Sequence, residues 1–458
     1  MQPLIAALAR LLDDDGAVSV PTPAQLRDST EVRGAVARAE AYVRPSDTQQ
    51  VARVLAWCNE HEVPVTARGG GTGFAGGAVP LHGGVVLGLE RMTSVRALEP
   101  LRWRMCVEAG LSTAHVRRLA RENGLLFPPD PGAAEQSQIG GNIATNAGGP
   151  HTLKYGGTGV WVSGLEAVLA DGEVITLGGA FSKDVAGYDL MHLLIGSEGT
   201  LAIITAAWLR LIPAPQAALP VVALYADAAA GTAAIERVIG SGLAVAALEY
   251  LDAPATALAA HGFPGTLPAS GAFMVIAEAD GSQAEAQRLA GEVAQALGEG
   301  ASELLEPRGR SETEALWRWR DGVSLAVSAR RGGKLSEDIV VPFERLGEAV
   351  AAVVEIGGRH GLEACSWGHA GDGNLHATFL VAPGDAQALQ SAQAAAEELF
   401  ALAVALGGAV SGEHGVGWVK RGQLARQWQP AALDLHDAVK RAFDPRGILN
   451  PGKKLSRA

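Results

Sequence analysis

The segment at residues 67–80, ARGGGTGFAGGAVP, contains the spacing Gly71-x-Gly73-x-x-Gly76 and decides how the first half of the chain is interpreted. Such a spacing is a dinucleotide fingerprint only when a strand precedes it and a helix begins at its last glycine. A strand is predicted before it, at residues 63–66, but Pro80 and a glycine pair lead straight into another strand at 85–87. No room remains for a crossover helix, so the sequence excludes a Rossmann turn.

The same glycines suit an anion. Consecutive glycines can turn their N–H groups into one concavity, and such a nest binds phosphate without a helix dipole. A second cluster at residues 137–149, SQIGGNIATNAGG, combines small residues with polar side chains that can hydrogen-bond a ring edge or ribityl hydroxyls. A flexible surface loop and a turn-rich structural loop are the respective alternatives. Together the two clusters favour a large polar cofactor.

Composition limits the class of protein. The chain has 458 residues, 48% hydrophobic and 19% charged, which is typical of a globular protein of two or three domains. A net charge of −12 without a basic run argues against nucleic-acid binding. The three cysteines lie far apart, so neither a disulfide framework nor an iron–sulfur cluster of its own is encoded. No secretory signal or membrane-length apolar span is recognised, and a cytoplasmic protein is expected.

The pattern along the chain predicts four segments. Residues 1–34 predict an N-terminal helical segment, and residues 35–213 an α+β domain with a hairpin around Asp171-Gly172. In this domain, residues 46–49 (SDTQ) predict the capping box of an amphipathic helix. Residues 214–410 follow a proline-rich boundary and repeat a strand-then-helix pattern typical of ferredoxin-like units. Residues 411–458 are expected to return to the first domain.

Two short motifs in the second half carry imidazoles and a carboxylate. Residues 368–376, GHAGDGNLH, lie between two β-like runs and predict a hairpin that brings His369 and His376 together. Downstream, Glu413 and His414 lie on a glycine-bounded turn. Two histidines with one glutamate form a recurrent catalytic zinc set. Since no HExxH pattern is present, spacing alone leaves metal binding and ordinary hydrogen bonding equally open.

These motifs carry a family resemblance over most of the chain. The two glycine clusters and residues 196–203, GSEGTLAI, resemble the FAD-binding domain of the vanillyl-alcohol oxidase, or PCMH-type, flavoprotein superfamily. The motifs at 368–376 and 411–417 are similar to those of FAD-linked D-2-hydroxyacid dehydrogenases and oxidases, which act on D-lactate, glycolate or D-2-hydroxyglutarate. The resemblance implies an α+β fold: a PCMH-type FAD-binding domain of two α+β subdomains, a ferredoxin-like α+β substrate (cap) domain and a C-terminal segment that completes the FAD domain.

The resemblance also implies a set of FAD contacts. Residues 69–73 would hold the pyrophosphate, residues 139–145 would lie along the isoalloxazine and ribityl chain, and Ile203 would meet the adenine side. Asn450, in the terminal stretch FDPRGILNPGK, would reach back to the flavin, although a helix terminator explains that stretch equally well. FAD is expected to be non-covalent, because no histidine lies between Val63 and Val79, near the loop. The implied cofactor-binding residues are Arg68, Gly69, Gly70, Gly71, Thr72, Gly73, Ser137, Ile139, Gly140, Gly141, Asn142, Thr145, Gly148, Glu198, Gly199, Ile203 and Asn450.

For the second half, the resemblance implies that a divalent metal, with zinc as first choice, is held by His369, His376 and Glu413, and that His414 acts as base. The stretches at 316–320 (LWRWR) and 334–342 (KLSEDIVVP) resemble further family motifs. Arg320 is assigned to the substrate carboxylate, because a guanidinium can bind it bidentately. Lys334 and His369 are further substrate-binding candidates, and Arg318 is interpreted as an ordinary surface charge.

The implied reaction is the oxidation of a small 2-hydroxy acid to the 2-oxo acid, with hydride transfer to flavin N5. An external electron acceptor is expected: a separate iron–sulfur subunit, a quinone or an electron-transfer flavoprotein, which could hold the protein at a membrane surface. A homodimer is one compatible assembly. The alternative is a transferase that resembles alkylglycerone phosphate synthase, disfavoured because that branch carries a histidine run in place of residues 411–414. A zinc hydrolase with a vestigial flavin domain ranks last.

Overall fold

The computed structural model describes residues 2–30 and 36–455, so the expected end of the N-terminal segment, at residue 34, lies outside the described residues. The strands are β1 Val18–Ser19, β2 Ala41–Val43, β3 Val65–Arg68, β4 Val85–Gly88, β5 Val95–Glu99, β6 Arg104–Glu108, β7 Leu125–Leu126, β8 Val162–Val168, β9 Val174–Gly178, β10 Ile203–Arg210, β11 Ile212–Pro213, β12 Ala217–Tyr225, β13 Ala247–Leu251, β14 Phe273–Gly281, β15 Glu303–Leu305, β16 Lys334–Val340, β17 Ala364–His369 and β18 Asn374–Leu380. The α-helices are α1 Gln2–Leu12, α2 Thr48–Glu60, α3 Thr113–Glu122, α4 Ile139–Thr145, α5 Thr152–Tyr155, α6 Leu190–Leu194, α7 Ala228–Gly240, α8 Ala253–Leu258, α9 Gln283–Gly298, α10 Gly309–Ala329, α11 Leu346–Arg359, α12 Ala386–Ala405, α13 Leu424–Gln427 and α14 Pro430–Phe443.

The chain divides into two compact units. The first contains the described residues up to 149, residues 156–214 and those from 413 onward. The second contains residues 150–155 and 215–412. The C-terminal segment therefore folds with the N-terminal unit, as the expected fold class requires.

A four-stranded sheet in the order β1-β2-β4-β3 forms one part of the first unit. Its core includes the buried faces of α1 and α2. The N-cap of α2 is Asp47, whose carboxylate accepts a hydrogen bond from the Gln50 amide at 2.8 Å. The capping box predicted to start at Ser46 is therefore wrong by one residue, because the aspartate meets the third amide of the helix. Strands β3 and β4 pair in parallel, and the described residues between them contain no helix, which confirms that the glycine loop is not a Rossmann turn.

A five-stranded antiparallel sheet in the order β5-β6-β10-β8-β9 forms the other part of this unit. Strands β8 and β9 form the hairpin predicted around Asp171-Gly172. Side chains of α3, α4 and β10 share the buried core of this sheet. The C-terminal segment adds a strand-like contact to β3 of the four-stranded sheet, where the Val65 amide donates to the Ile448 carbonyl at 2.8 Å.

The second unit is built on one seven-stranded sheet in the order β15-β12-β14-β13-β17-β18-β16. In the run β12-α7-β13-α8-β14-α9-β15, the strands have the order of a ferredoxin-like unit, and the short helix α8 is an addition between β13 and β14. The run β16-α11-β17-β18-α12 repeats that pattern, and Ala409 bridges Val340 where a fourth strand would pair. The expected ferredoxin-like architecture is confirmed.

Among the described helices, we find none with the length and apolar character needed to span a lipid bilayer.

Candidate functional site

The glycine-rich loop after β3 packs directly against the second glycine cluster. A Cβ placed on Gly70 would lie 1.9 Å from the carbonyl oxygen of Gln136, and one on Gly69 would lie 3.5 Å from the Cα of Gly141. Gly71 has a φ of +70°, a left-handed conformation that favours glycine. Only residues without side chains allow this approach, so the two segments predicted to bind the cofactor lie side by side.

Positive charge lies on the same loop. A Cβ on Gly71 would lie 2.1 Å from Nη2 of Arg68, so this guanidinium covers the loop at that point, and its Nη1 donates to the Arg27 carbonyl. Lys453 donates from Nζ to the Gly77 carbonyl at 2.8 Å. Burial lowers the pKa of Lys453 to about 7, against the opposing effect of nearby carboxylates. A Cβ on Gly73 would meet no atom of the described residues within 4 Å. An open glycine backbone flanked by a guanidinium is suited to a pyrophosphate.

The second cluster contains α4, a helix that the sequence did not predict. Several of its predicted cofactor ligands hold the segment in place: Ser137 Oγ lies 2.7 Å from Thr113 Oγ1, and Asn142 donates to the same hydroxyl at 2.6 Å. Ile139 belongs to the core, and Gly140 packs closely on Ala109. The partly exposed predicted ligands in this cluster are Gly141, Thr145 and Gly148.

The segment after α6 joins the same region of the first unit. The Glu198 amide donates to the Ala144 carbonyl at 2.7 Å, and its carboxylate accepts from the amides of Val416 and Gly417 at 3.0 and 2.6 Å. Asn450 donates to the carbonyls of Gly77 and Glu198 at 2.9 and 2.8 Å. The predicted residues Gly199 and Ile203 follow, Gly199 with a φ of +69° and Ile203 buried in β10. These cofactor contacts stay predictions, while the structure brings their segments together within one unit.

His414 lies beside the glycine-rich loop. Its ring is 4.7 Å, centroid to centroid, from the ring of Phe74, the residue after Gly73. Its Nε2 is 3.8 Å from a carboxylate oxygen of Glu413, and both side chains are only partly exposed. The predicted base therefore lies next to the loop predicted to hold the cofactor.

In the second unit, the hairpin predicted at residues 368–376 is confirmed. His369 ends β17 and His376 lies on β18, with their ring centroids 5.4 Å apart and their planes at 89°. Ring nitrogens of the two histidines lie within 4.8 Å of each other. Both side chains are buried.

Glu249, on the neighbouring strand, contacts His369, and it was not identified from the sequence. The register of β13 and β17 places Glu249 directly opposite His369, and its carboxylate is 2.6 Å from His369 Nδ1. The other carboxylate oxygen accepts from Arg320 Nη2 at 2.5 Å. Burial alone would raise the pKa of Glu249, but His369 and Arg320 hold it below its ordinary value. The sequence did contain a signal for Glu249, which is one acidic residue inside an otherwise apolar strand. A carboxylate buried in this way needs charged or hydrogen-bonding partners.

Arg320 lies on the buried face of α10 together with Leu316, Trp319 and Val323. Its Nε is buried without a hydrogen-bond partner among the described residues. The guanidinium therefore keeps an unused donor for an anion. Lys334, the other candidate, donates to Ser324 Oγ at 2.6 Å and lies 5.0 Å from the Trp367 ring centroid.

Asp338 was quoted in a motif but given no role. It faces His376 across β16 and β18, and a carboxylate oxygen lies within 4.8 Å of a ring nitrogen of that histidine. Its two oxygens accept from Asn374 Nδ2 at 2.6 Å, Ser411 Oγ at 2.8 Å and the Gly412 amide at 2.9 Å. This carboxylate thus fixes the chain immediately before Glu413.

The donor set fits a borderline divalent cation. Two buried imidazoles, His369 and His376, lie close together, and the Asp338 carboxylate on the neighbouring strand lies close to His376; imidazole and carboxylate are ligands that zinc prefers. The orientation of His369 is set by an acidic partner at Nδ1. These residues of the second unit fit the expected metal.

Comparisons with known proteins identify the family of the chain. Residues 214–454 match the family "FAD linked oxidases, C-terminal domain", and residues 39–178 match "FAD binding domain". The chain is 36% identical over 419 residues to glycolate oxidase subunit GlcD of Bacillus subtilis, covering 91% of this chain and 89% of the relative. It is 36% identical over 446 residues to D-lactate dehydrogenase of Archaeoglobus fulgidus, covering 95% and 96%.

Among solved structures, p-cresol methylhydroxylase with bound substrate superposes with a TM-score of 0.83 at 21% identity, over 99% of this chain and 96% of that one. At this identity the likeness shows the fold alone, and it confirms the expected PCMH-type α+β class. The family match extends over more than half of the sequence, so the resemblance proposed from the motifs is confirmed. The chain belongs to the family of FAD-linked oxidases.

Proposed function

We propose that this FAD-linked oxidase converts a small D-2-hydroxy acid to the corresponding 2-oxo acid. The relatives named as acting on glycolate and D-lactate support the substrate class. The observation that carries the proposal is the position of His414, whose ring packs on Phe74 at the glycine-rich loop. A base in this place can take a proton from a substrate held close to the cofactor.

The chain supplies groups for both ends of such a substrate. Arg320 binds the substrate carboxylate, since its buried Nε has no hydrogen-bond partner in the part of the chain that the structure describes. Lys334 adds a second positive charge. His369, His376 and Glu413 are the proposed ligands of a divalent cation, with zinc as first choice. Glu413 is proposed because it follows Gly412, whose amide donates to the Asp338 carboxylate. Asp338 in turn lies opposite His376 in the sheet.

The reaction removes one proton and one hydride from the substrate. Bound FAD supplies the acceptor for the Cα hydride at N5, and a bound divalent cation supplies charge that favours loss of the hydroxyl proton. His414 accepts that proton, and Glu413 at 3.8 Å can stabilise the resulting imidazolium. Arg320 orients the carboxylate so that the Cα hydrogen has one direction to leave.

The electron pair must then leave the protein. An external acceptor is proposed: a separate iron–sulfur subunit, a quinone or an electron-transfer flavoprotein. The relative named as a glycolate oxidase subunit supports a partner subunit.

A His414→Ala variant tests the role of the base. A positioned general base contributes about 10² to 10⁴ in rate, so kcat should fall by that factor while the FAD content stays at the wild-type level. His61→Ala, which removes a surface imidazole stacked on Trp57, is the matched control and should retain activity. Wild-type turnover by the His414 variant would contradict the assignment.

Substrate and metal are tested together with the wild-type protein. Glycolate, D-lactate, D-malate and D-2-hydroxyglutarate are assayed with an artificial acceptor, with and without a chelator, and L-lactate serves as the stereochemical control. Anaerobic bleaching of the flavin absorbance by one of these acids is expected for an oxidase. A transferase without net redox chemistry would show no bleaching.

A further inference from the structure

A buried carboxylate with no role in the proposed chemistry contacts His369, one of the two buried histidines. Glu249 is fully buried on β13, and it bridges two cationic or proton-donating groups. His369 Nδ1 lies 2.6 Å from one oxygen, and Arg320 Nη2 lies 2.5 Å from the other. Replacing such a residue would leave partners buried without their counter-charge, so the arrangement demands a specific side chain.

The contact determines the chemistry of the His369 ring. An ionised carboxylate can only accept hydrogen bonds, so Nδ1 must carry the proton in this pair. The lone pair of neutral His369 is then at Nε2, the nitrogen on the opposite edge of the ring. A neutral imidazole with its other nitrogen bonded to a carboxylate is the form in which histidine binds metals best.

We propose that Glu249 is a positioning residue that holds His369 in the Nδ1–H tautomer and thereby presents Nε2 as a metal ligand. The sheet supports this role, because the β13–β17 register places the two residues opposite each other. Arg320 keeps the carboxylate ionised, since the guanidinium is always charged and contacts the second oxygen. The inference rests on the proposed metal site.

A Glu249→Gln substitution reverses the hydrogen-bond pattern. The amide oxygen will turn to the Arg320 guanidinium, and the amide nitrogen will then donate to His369 Nδ1. This forces the proton to Nε2 and removes the lone pair that would bind the metal. Loss of such an outer partner costs about 10- to 100-fold in metal affinity.

The chain provides a matched control in the same sheet. Glu278 on β14 is also a buried glutamate, and it contacts His151 Nε2 at 2.8 Å and accepts from Trp317 Nε1 at 2.6 Å. Glu278→Gln therefore makes the same chemical change to another histidine–glutamate pair, in which the glutamate is buried and the histidine partly exposed. We expect it to leave zinc affinity within twofold of wild type.

The experiment measures zinc affinity by competition with a chromogenic chelator, and the His369 tautomer by long-range ¹H–¹⁵N NMR of ¹⁵N-histidine-labelled apoprotein. Glu249→Gln should bind zinc about 10- to 100-fold more weakly and shift His369 from Nδ1–H to Nε2–H. If Glu249→Gln does not fold, the double variant Glu249→Met/Arg320→Met takes its place, because it leaves no buried charge unpaired. It should show the same loss of zinc affinity. Unchanged affinity in the Glu249 variants would overturn the inference.

Failure of the metal site itself would look different. If wild-type protein binds no zinc, the proposed ligand set is wrong, and the tautomer alone decides the role of Glu249. In that case a wild-type His369 carrying its proton on Nε2 overturns the inference, and one carrying it on Nδ1 only when Glu249 is present supports it.

Discussion

Substitution of Gly70 by alanine is expected to destabilise the first unit and to loosen its FAD site. The added methyl would lie 1.9 Å from the carbonyl oxygen of Gln136 and 2.7 Å from its carbonyl carbon. Since carbon and oxygen normally stay about 3.3 Å apart, one of the two backbone segments must move by more than about 1 Å. Overpacking of this kind costs about 1–3 kcal/mol.

This cost translates into a measurable melting shift. For a unit of this size each kcal/mol lowers Tm by about 2–4 °C, so a fall of roughly 2–12 °C is expected. Differential scanning fluorimetry of the apoprotein measures it, and the absorbance of purified protein measures FAD content. Gly77→Ala is the control, because within residues 2–30 and 36–455 a Cβ there would meet no atom within 4 Å. A surface substitution changes stability by about 0.5 kcal/mol or less. A Gly70→Ala variant that melts within about 1 °C of wild type would therefore behave like a surface substitution and would refute the packing argument.

Two further predictions test the cofactor loop and the second unit. Gly73→Ala should keep the apoprotein Tm, because its Cβ would lie more than 4 Å from every neighbouring atom that the structure describes, and should weaken FAD binding if the pyrophosphate lies there. Unchanged FAD affinity would remove Gly73 from the site. Burial raises the pKa of Asp252 from 3.8 to about 7, against hydrogen bonds from Ala255 and Ser366. The folded state therefore holds this proton more tightly than the unfolded state, and stability should decline as pH rises from about 4 to about 7. Urea unfolding across this range should show a shallower decline in Asp252→Asn, and an identical slope would contradict the assignment.

The sequence by itself determined the features that depend on neighbouring residues. Pro80 and the glycines around it left no space for a crossover helix, which correctly excluded a Rossmann turn; phosphate binding by the loop stays a prediction. The alternation around residues 368–376 was sufficient to predict the hairpin that brings His369 and His376 together, because a short turn between two strands constrains its own ends. The one-residue error at Asp47 shows the limit of such local signals: adjacent Ser and Asp can both cap a helix, and only the backbone decides which one does.

The tertiary structure alone decided which distant side chains meet. Glu249 and His369 are 120 positions apart, and they contact because strands β13 and β17 pair in one particular register. Asp338 meets His376 for the same reason across β16 and β18. A shift of one residue in either register would turn these carboxylates to the other face of the sheet, since side chains alternate along a strand. Local patterns specify strands but not their partners, so the groups that orient the histidines could be identified only after the sheet was assembled.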